Sequence, residues 1–272
     1  MKFLVPIDFT PITRNALSHA LQIQRTLGGT VELLHIISTE SDRKSADEKL
    51  NEIIRSLTPA EAALIATKVK LGDIFKDIAA EADNGDAQLL VMGTHGAKGL
   101  QKLFGSYAIK VISSAQTPFI VTQSALPSPK IERIVLAVDL SKESVQIVKF
   151  AADLAKKFKA EIHIVCKPET DEWLANKLRN NINAAKLVLK QEGIVHDVIT
   201  LPGKQALYTE VQQYGDQNNA DLFALTHFSE SILPQFDKFS QEMITNPKGT
   251  PVLIVNAKNI GNVNSKYSFL TV

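Results

Sequence analysis

LLVMGTHGAKGLQKLFGSY, residues 89–107, couples an apolar run to a glycine-rich turn. Leu89 to Met92 lacks polar alternation and stops at Gly93, which predicts a buried parallel strand. Gly96, Gly99 and Gly105 follow before a helical pattern begins. Glycines at the carboxyl end of such a strand let backbone N–H groups converge on an anion at the next helix. Ligands of open α/β sheets collect at this edge. A plain connector is the competing reading. The stretch has no G-x-x-x-x-G-K-[ST] and no G-x-G-x-x-G opening, which excludes an ordinary P-loop NTPase or a dinucleotide dehydrogenase.

On the amino-terminal side, Phe3 to Ile7 reads as a first strand ending at Asp8. Thr10 is placed to N-cap a helix with Pro11 at its first position, and Gly28-Gly29 stops it. Val31 to Ile37 is a second strand. A polar run from Ser38 to Asp47 then turns helical through Leu50, Ile53, Ile54 and Leu57, with a break expected at Pro59. Lys68 to Leu71 reads as a third strand, Gly72-Asp73 as turn and cap, and Ile74 to Ala82 as a helix. A helix over Tyr107 to Ala115 and a strand over Pro118 to Thr122 close the unit. The β/α alternation predicts a mostly parallel sheet covered on both faces.

The sequence then starts again. IERIVLAVDLS echoes MKFLVPIDFT, with Asp139 on Asp8 at an offset of 131. KAEIHIVC matches GTVELLHI. ADLFALTH matches AQLLVMGT and TPVLIV matches TPFIVT, both at an offset of 133. Two copies of one fold are expected, residues 1–125 and 131–258, joined by the Pro/Ser-rich QSALPSPK and followed by a tail, 259–272. Under the 133 offset Gly93, Gly96, Gly105 and Ser106 fall on Thr226, Ser229, Lys238 and Phe239. With Pro234 and Phe236 inside the loop and Phe239 crowding it, the second copy is expected to be silent.

A formal net charge of +1 argues against a strongly basic nucleic-acid surface. No segment reaches the roughly 20 apolar residues of a membrane span. The lone Cys166 suits a reducing cytosol, so a soluble cytoplasmic protein is expected.

With PIDFT, LLHI, VMGTHG, Gly105-Ser106 and TPFIVTQ in place, the chain resembles the universal stress protein family in its tandem-domain form. The resemblance implies an α/β fold of two Rossmann-like (adenine nucleotide alpha hydrolase-like) domains. Each would be a five-stranded parallel sheet of order 3-2-1-4-5 flanked by helices, paired through the fifth strands as an intramolecular pseudo-dimer, with a further homodimer left open. It also implies ATP as ligand, with Mg²⁺ bridging the phosphates. Carried over residue by residue, Gly93, Gly96, Gly105 and Ser106 match the phosphate motif. Asp8 would meet the nucleoside, Pro6 the pocket edge, the backbone near Ile36 the adenine, and Met92 the base pocket. Eight residues separate Gly96 from Gly105 where ATP-binding members have nine, and Tyr107 stands where the family has a smaller residue.

Catalytic chemistry is sparse. His19, His35, His95, His163, His196 and His227 form no metal-ligand spacing, and Cys166 ends a buried strand. His35 reads as a hydrogen-bonded core residue. His95, Lys98 and Lys102 could meet phosphate or simply face solvent, and Thr94 and Ser106 could donate hydroxyls. No base is poised to activate water, so no enzyme is expected beyond slow incidental ATP hydrolysis. The S-G-G-x-D-S loop of ATP-pyrophosphatases is replaced by PIDFT. The expectation is an ATP-binding regulatory module that serves an unidentified protein partner, with nucleotide in the first domain only. The alternative is an interaction scaffold whose loop is a relic.

Overall fold

The computed structural model describes residues 1–94, 110–123, 130–227 and 238–257. His95, Gly96, Lys98, Gly99, Lys102, Gly105, Ser106, Tyr107, Ser229, Pro234, Phe236 and the tail lie outside the described residues.

In the first half, β1 (Lys2–Pro6) leads into α1 (Pro11–Leu27) and β2 (Thr30–Ile37). Next come α2 (Arg43–Arg55), α3 (Pro59–Ala62), β3 (Ile65–Leu71), α4 (Ile74–Asn84) and β4 (Leu89–Gly93). Residues 110–114 of α5 and β5 (Phe119–Thr122) complete it. The second half runs β6 (Arg133–Ala137), α6 (Ile147–Phe158), β7 (Glu161–Cys166), α7 (Glu172–Gln191), β8 (His196–Thr200), α8 (Leu207–Gln217), β9 (Leu222–His227), α9 (Lys238–Ile244) and β10 (Val252–Asn256).

The ten strands among the described residues form one sheet, ordered β3-β2-β1-β4-β5-β10-β9-β6-β7-β8. Strands are parallel within each half. The halves meet where β5 and β10 run antiparallel, with Ile120 opposite Leu253 and Val121 opposite Val252. Each face of the sheet carries one apolar layer shared by both halves. One joins Phe3, Val5 and Leu33 to Ile134, Leu136 and Ile162, and the other joins Leu4, Leu90 and Phe119 to Phe223, Val252 and Ile254. Because both faces are buried, the strands read as unbroken apolar runs. No described helix is long and apolar enough to cross a membrane.

Several local expectations need correction. Thr10 sits at the N-cap of α1, but its side chain does not cap the helix; its hydroxyl instead donates to Asp8 Oδ1 at 2.6 Å. Pro59 opens a short helix rather than merely breaking one, because Thr58 and Glu61 form a capping box around it. The third strand begins at Ile65, three residues early, and α4 runs on to Asn84. Lys2 pairs with Thr30 and Arg133 with Glu161, so β7 follows β2 at the same 131 offset as the first strands. KAEIHIVC therefore superposes on GGTVELLH, one residue from the match by eye, and His35 falls on Cys166.

Candidate functional site

β1 pairs with β2 on one side and β4 on the other, so its carboxyl end is a topological switch point. The sequence places a tight turn there. Asp8 Oδ1 accepts three hydrogen bonds, from Thr10 N (2.9 Å), Thr10 Oγ1 (2.6 Å) and Thr13 Oγ1 (2.9 Å). All fall on one oxygen, and Asp8 is exposed at the sheet edge. The second half builds a related turn: Ser141 N donates to Asp139 Oδ1 at 2.8 Å and Asp139 N reaches Ser144 Oγ as Asp8 N reaches Thr13 Oγ1, while the Ser141 and Ser144 hydroxyls bond Glu143 and backbone carbonyls instead. Organising this turn is thus a structural duty common to both aspartates.

Phe9 takes a left-handed conformation, φ +68°, which costs a bulky residue about 1–2 kcal/mol. Its ring lies 4.4 Å from the His35 ring, and Lys49 Nζ stands 5.2 Å from its centroid. His35 Nδ1 lies 2.6 Å from the Ile7 carbonyl. A carbonyl only accepts, so Nδ1 carries the proton. His35 is hydrogen-bonded as the sequence reading expects, but it is half-buried and borders the cavity instead of lying in the core.

Above this turn lies a cavity of about 390 Å³, within the usual range of small-molecule pockets. Pro6, Ile7, Asp8 and Thr13 border it from β1 and the following turn, Leu34, His35 and Ile36 from β2, and Met92 and Gly93 from β4. α4 adds Ile74, Phe75 and Ile78, and α5 adds Val111. The wall is mostly apolar, with Asp8, Thr13 and His35 supplying polar groups. Five of the sequence-derived positions, Pro6, Asp8, Ile36, Met92 and Gly93, therefore share one cavity.

Gly93 has a second reason to be glycine. A Cβ there would sit 2.6 Å from the Ile12 carbonyl oxygen, so α1 can cross the end of β4 only over a bare Cα.

The α4 wall is pinned from beneath. Asp73 Oδ1 caps the helix by accepting from Phe75 N and Lys76 N. Asp77 accepts from Asp73 N and pairs with Lys70 at 3.0 Å. The Asp73 N–H and then the Lys70 ammonium hold the Asp77 carboxyl below its usual range, while Asp77 raises Lys70. Lys110 Nζ lies 4.9 Å from the Phe75 ring centroid, tying α5 to α4 across the cavity mouth.

In the second half the matching residues are divided between two smaller hollows: Val138, Asp139, Lys167 and Leu207, counterparts of Ile7, Asp8, Ile36 and Ile74, border one of about 240 Å³. Ala137, Asp139, Ser144, Leu207, Leu225, Thr226 and Phe239 surround the other, of only about 40 Å³. These replace Pro6, Asp8, Thr13, Ile74, Met92, Gly93 and Ser106 one for one. Thr226 fills the place of Gly93 and donates its hydroxyl to Glu143 O at 3.2 Å. Phe239 packs in from α9, as its size predicts.

Leu34, Thr13, Ile74, Phe75, Ile78 and Val111 were not singled out from sequence. Ile74 and Ile78 lie four apart, a helical spacing that reads equally well as core. Among the described residues no group of three or more His, Cys, Asp or Glu is arranged to hold a metal.

A model of the universal stress protein family matches residues 1–123 and 130–225. A universal stress protein of Methanocaldococcus jannaschii is 27% identical over 138 residues, 45% of this chain and 81% of that protein. Among solved structures, a universal stress protein from Archaeoglobus fulgidus superposes with a TM-score of 0.75 at 20% identity, covering 94% of this chain and 98% of the other. A functionally unknown protein from Pseudomonas aeruginosa PAO1 gives a TM-score of 0.66 at 15% identity, covering 98% of this chain and 96% of the other. The two-domain architecture is thus shared along nearly the whole chain.

Proposed function

Because this chain belongs to the universal stress protein family, we propose that its first half is an adenine-nucleotide-binding regulatory module and that its second half binds no nucleotide. One observation carries the reading: the first-half residues share one cavity of about 390 Å³, whereas their second-half equivalents are divided between hollows of about 40 Å³ and about 240 Å³. The larger cavity fits a purine nucleoside in its chemistry. Pro6, Ile36 and Met92 offer apolar surface to a flat base. Asp8 keeps Oδ2 outside its turn bonds, ready to accept from ribose hydroxyls. The phosphates would extend past Gly93 toward Gly96, Gly105, Ser106 and Tyr107. ATP is the proposed ligand, and an accompanying Mg²⁺ would offset the phosphate charge.

Binding rather than turnover is the proposed activity. His35 is tied to the Ile7 carbonyl through Nδ1, and Asp8 Oδ1 is taken by three donors. The Ile7 contact leaves Nε2 of His35 as an acceptor, but among the described residues no nucleophile hydrogen-bonds to it, so any ATP hydrolysis would be slow and incidental. Nucleotide occupancy would be read by a protein partner, and the single cysteine, buried Cys166, suits a cytoplasmic setting.

The eight-residue spacing from Gly96 to Gly105 favours a second reading, an interaction scaffold without nucleotide. Calorimetry with MgATP separates the two. One site per chain, lost in Gly105→Val with the fold intact, supports the nucleotide module. Two sites would overturn the silent second half, and no heat from a folded wild-type chain would leave the scaffold.

A further inference from the structure

The wall of the first-half cavity is held in place by the second half. Val111 of α5 borders the cavity and is 1% exposed. The carbonyls of the next two residues belong to the last turn of this helix, where no intrahelical N–H remains to meet them. Asn256, at the end of β10, donates its side-chain amide to both, to Ile112 O at 3.1 Å and Ser113 O at 3.0 Å. His227, at the end of β9, bonds the Ser113 hydroxyl through Nε2 at 3.0 Å. Both Asn256 and His227 are buried, so water is a poor substitute for either contact.

The return contact is weaker, although the halves are related by a pseudo-twofold axis between Ile120 and Leu253. Gln123 stands where Asn256 does, and among the described residues its amide makes one bond, to Asn246 O at 3.1 Å. Asn246 is the counterpart of Ser113, but it is held within its own half by Met243 O and Thr250. Thr94 stands where His227 does, and its buried hydroxyl has no hydrogen-bond partner among the described residues. The clamp is one-sided and points at the half with the open cavity.

We infer that Asn256 and His227 are positioning residues for the first-half ligand site. The second half, silent toward nucleotide, acts as a splint that fixes α5 and with it Val111. This inference rests on nucleotide binding in the first-half cavity and assigns the second half its part in it. A cavity wall anchored before the ligand arrives need not be ordered by binding, and the affinity keeps that saving.

The test compares full-length variants by MgATP calorimetry and by amide hydrogen exchange at residues 110–115. Asn256→Ala and Ser113→Ala should each weaken binding about tenfold and speed exchange in α5. Ser113→Thr, which retains the hydroxyl, should behave as wild type. Gln123→Ala opens the same junction from the other side and should leave affinity unchanged. Wild-type affinity in Asn256→Ala, or equal weakening in Gln123→Ala, overturns the inference. A wild-type chain that binds no adenine nucleotide defeats the nucleotide reading instead. Exchange then decides alone: unaltered rates at 110–115 in Asn256→Ala would show that the second half does not anchor this helix.

Discussion

Gly93 and Ile12 are in backbone contact: a Cβ on Gly93 would lie 2.6 Å from the Ile12 oxygen and 2.9 Å from its carbonyl carbon. The first glycine of the phosphate motif is therefore demanded by helix packing whether or not a ligand binds. Gly93→Ala must push α1 off β4, and overpacking of this kind costs roughly 1–3 kcal/mol. Urea unfolding should show a lower midpoint with an unchanged slope. A midpoint equal to wild type would mean that α1 yields freely and that the contact does not constrain residue 93.

Asp8 separates turn from ligand by its two oxygens. Asp8→Asn keeps a carbonyl oxygen for the donors from Thr10 and Thr13, whereas Asp8→Ala removes the acceptor altogether. Losing the acceptor should cost about 1–2 kcal/mol of stability, as for a lost cap. Asp139→Ala should also lower stability, since Asp139 accepts from Ser141 N in the related turn. Only the Asp8 variants should weaken MgATP binding, and Asp8→Asn should do so with stability nearly intact. Equal affinity in Asp8→Asn and wild type would confine Asp8 to the turn.

The repeat was legible because parallel strands buried on both faces leave apolar runs bounded by Gly, Pro and Asp, and four such runs recur in order. The same property hid the register of the second strand. Every position of β7 after Glu161 is buried, so a one-residue slip still looks acceptable, and the match by eye set His35 on Val165 instead of Cys166. Gly93 was legible from the glycine turn at a strand end, whereas Pro6, Asp8, Ile36 and Met92 came with the family resemblance; all five border one cavity. Ile74, Phe75, Ile78 and Val111 were not legible, since an apolar helix face looks the same against a core and against a cavity. Asn256 and His227 carry no local signal at all; their meaning comes from the antiparallel β5–β10 junction, which brings residues more than 100 positions apart into contact.

Lys159 offers a test of the repeat at the backbone level. It ends α6 at φ +58°, where the first half ends α1 with Gly28 at φ +76°. A side chain in this left-handed position costs roughly 1–2 kcal/mol, part of which glycine returns as unfolded-state entropy. Lys159→Gly should therefore stabilise the chain by about 0.5–1 kcal/mol, visible as a higher melting temperature. A lower melting temperature would mean that the lysine side chain contributes more than its backbone strain removes.

Acid stability should depend on Glu210. Its carboxylate, only 3% exposed, accepts from three successive backbone N–H groups: Gly203 (2.9 Å), Lys204 (2.6 Å) and Gln205 (2.8 Å). Burial alone would raise its pKa, but these three bonds together with the Lys167 charge outweigh it and leave the group below the usual glutamate range. The unfolded chain thus takes up this proton at higher pH than the folded one. The stabilisation is complete above the unfolded glutamate pKa of about 4.3 and is lost as pH falls through the lower folded value. Glu210→Gln keeps one carbonyl acceptor and no charge, so it should lower stability at neutral pH by roughly 1–3 kcal/mol. The wild-type advantage should then shrink as the solution is acidified toward about pH 3. Urea midpoints of both proteins across that range measure it. A difference that stays constant down to the lowest pH would show that the three N–H groups do not depend on the charge of Glu210.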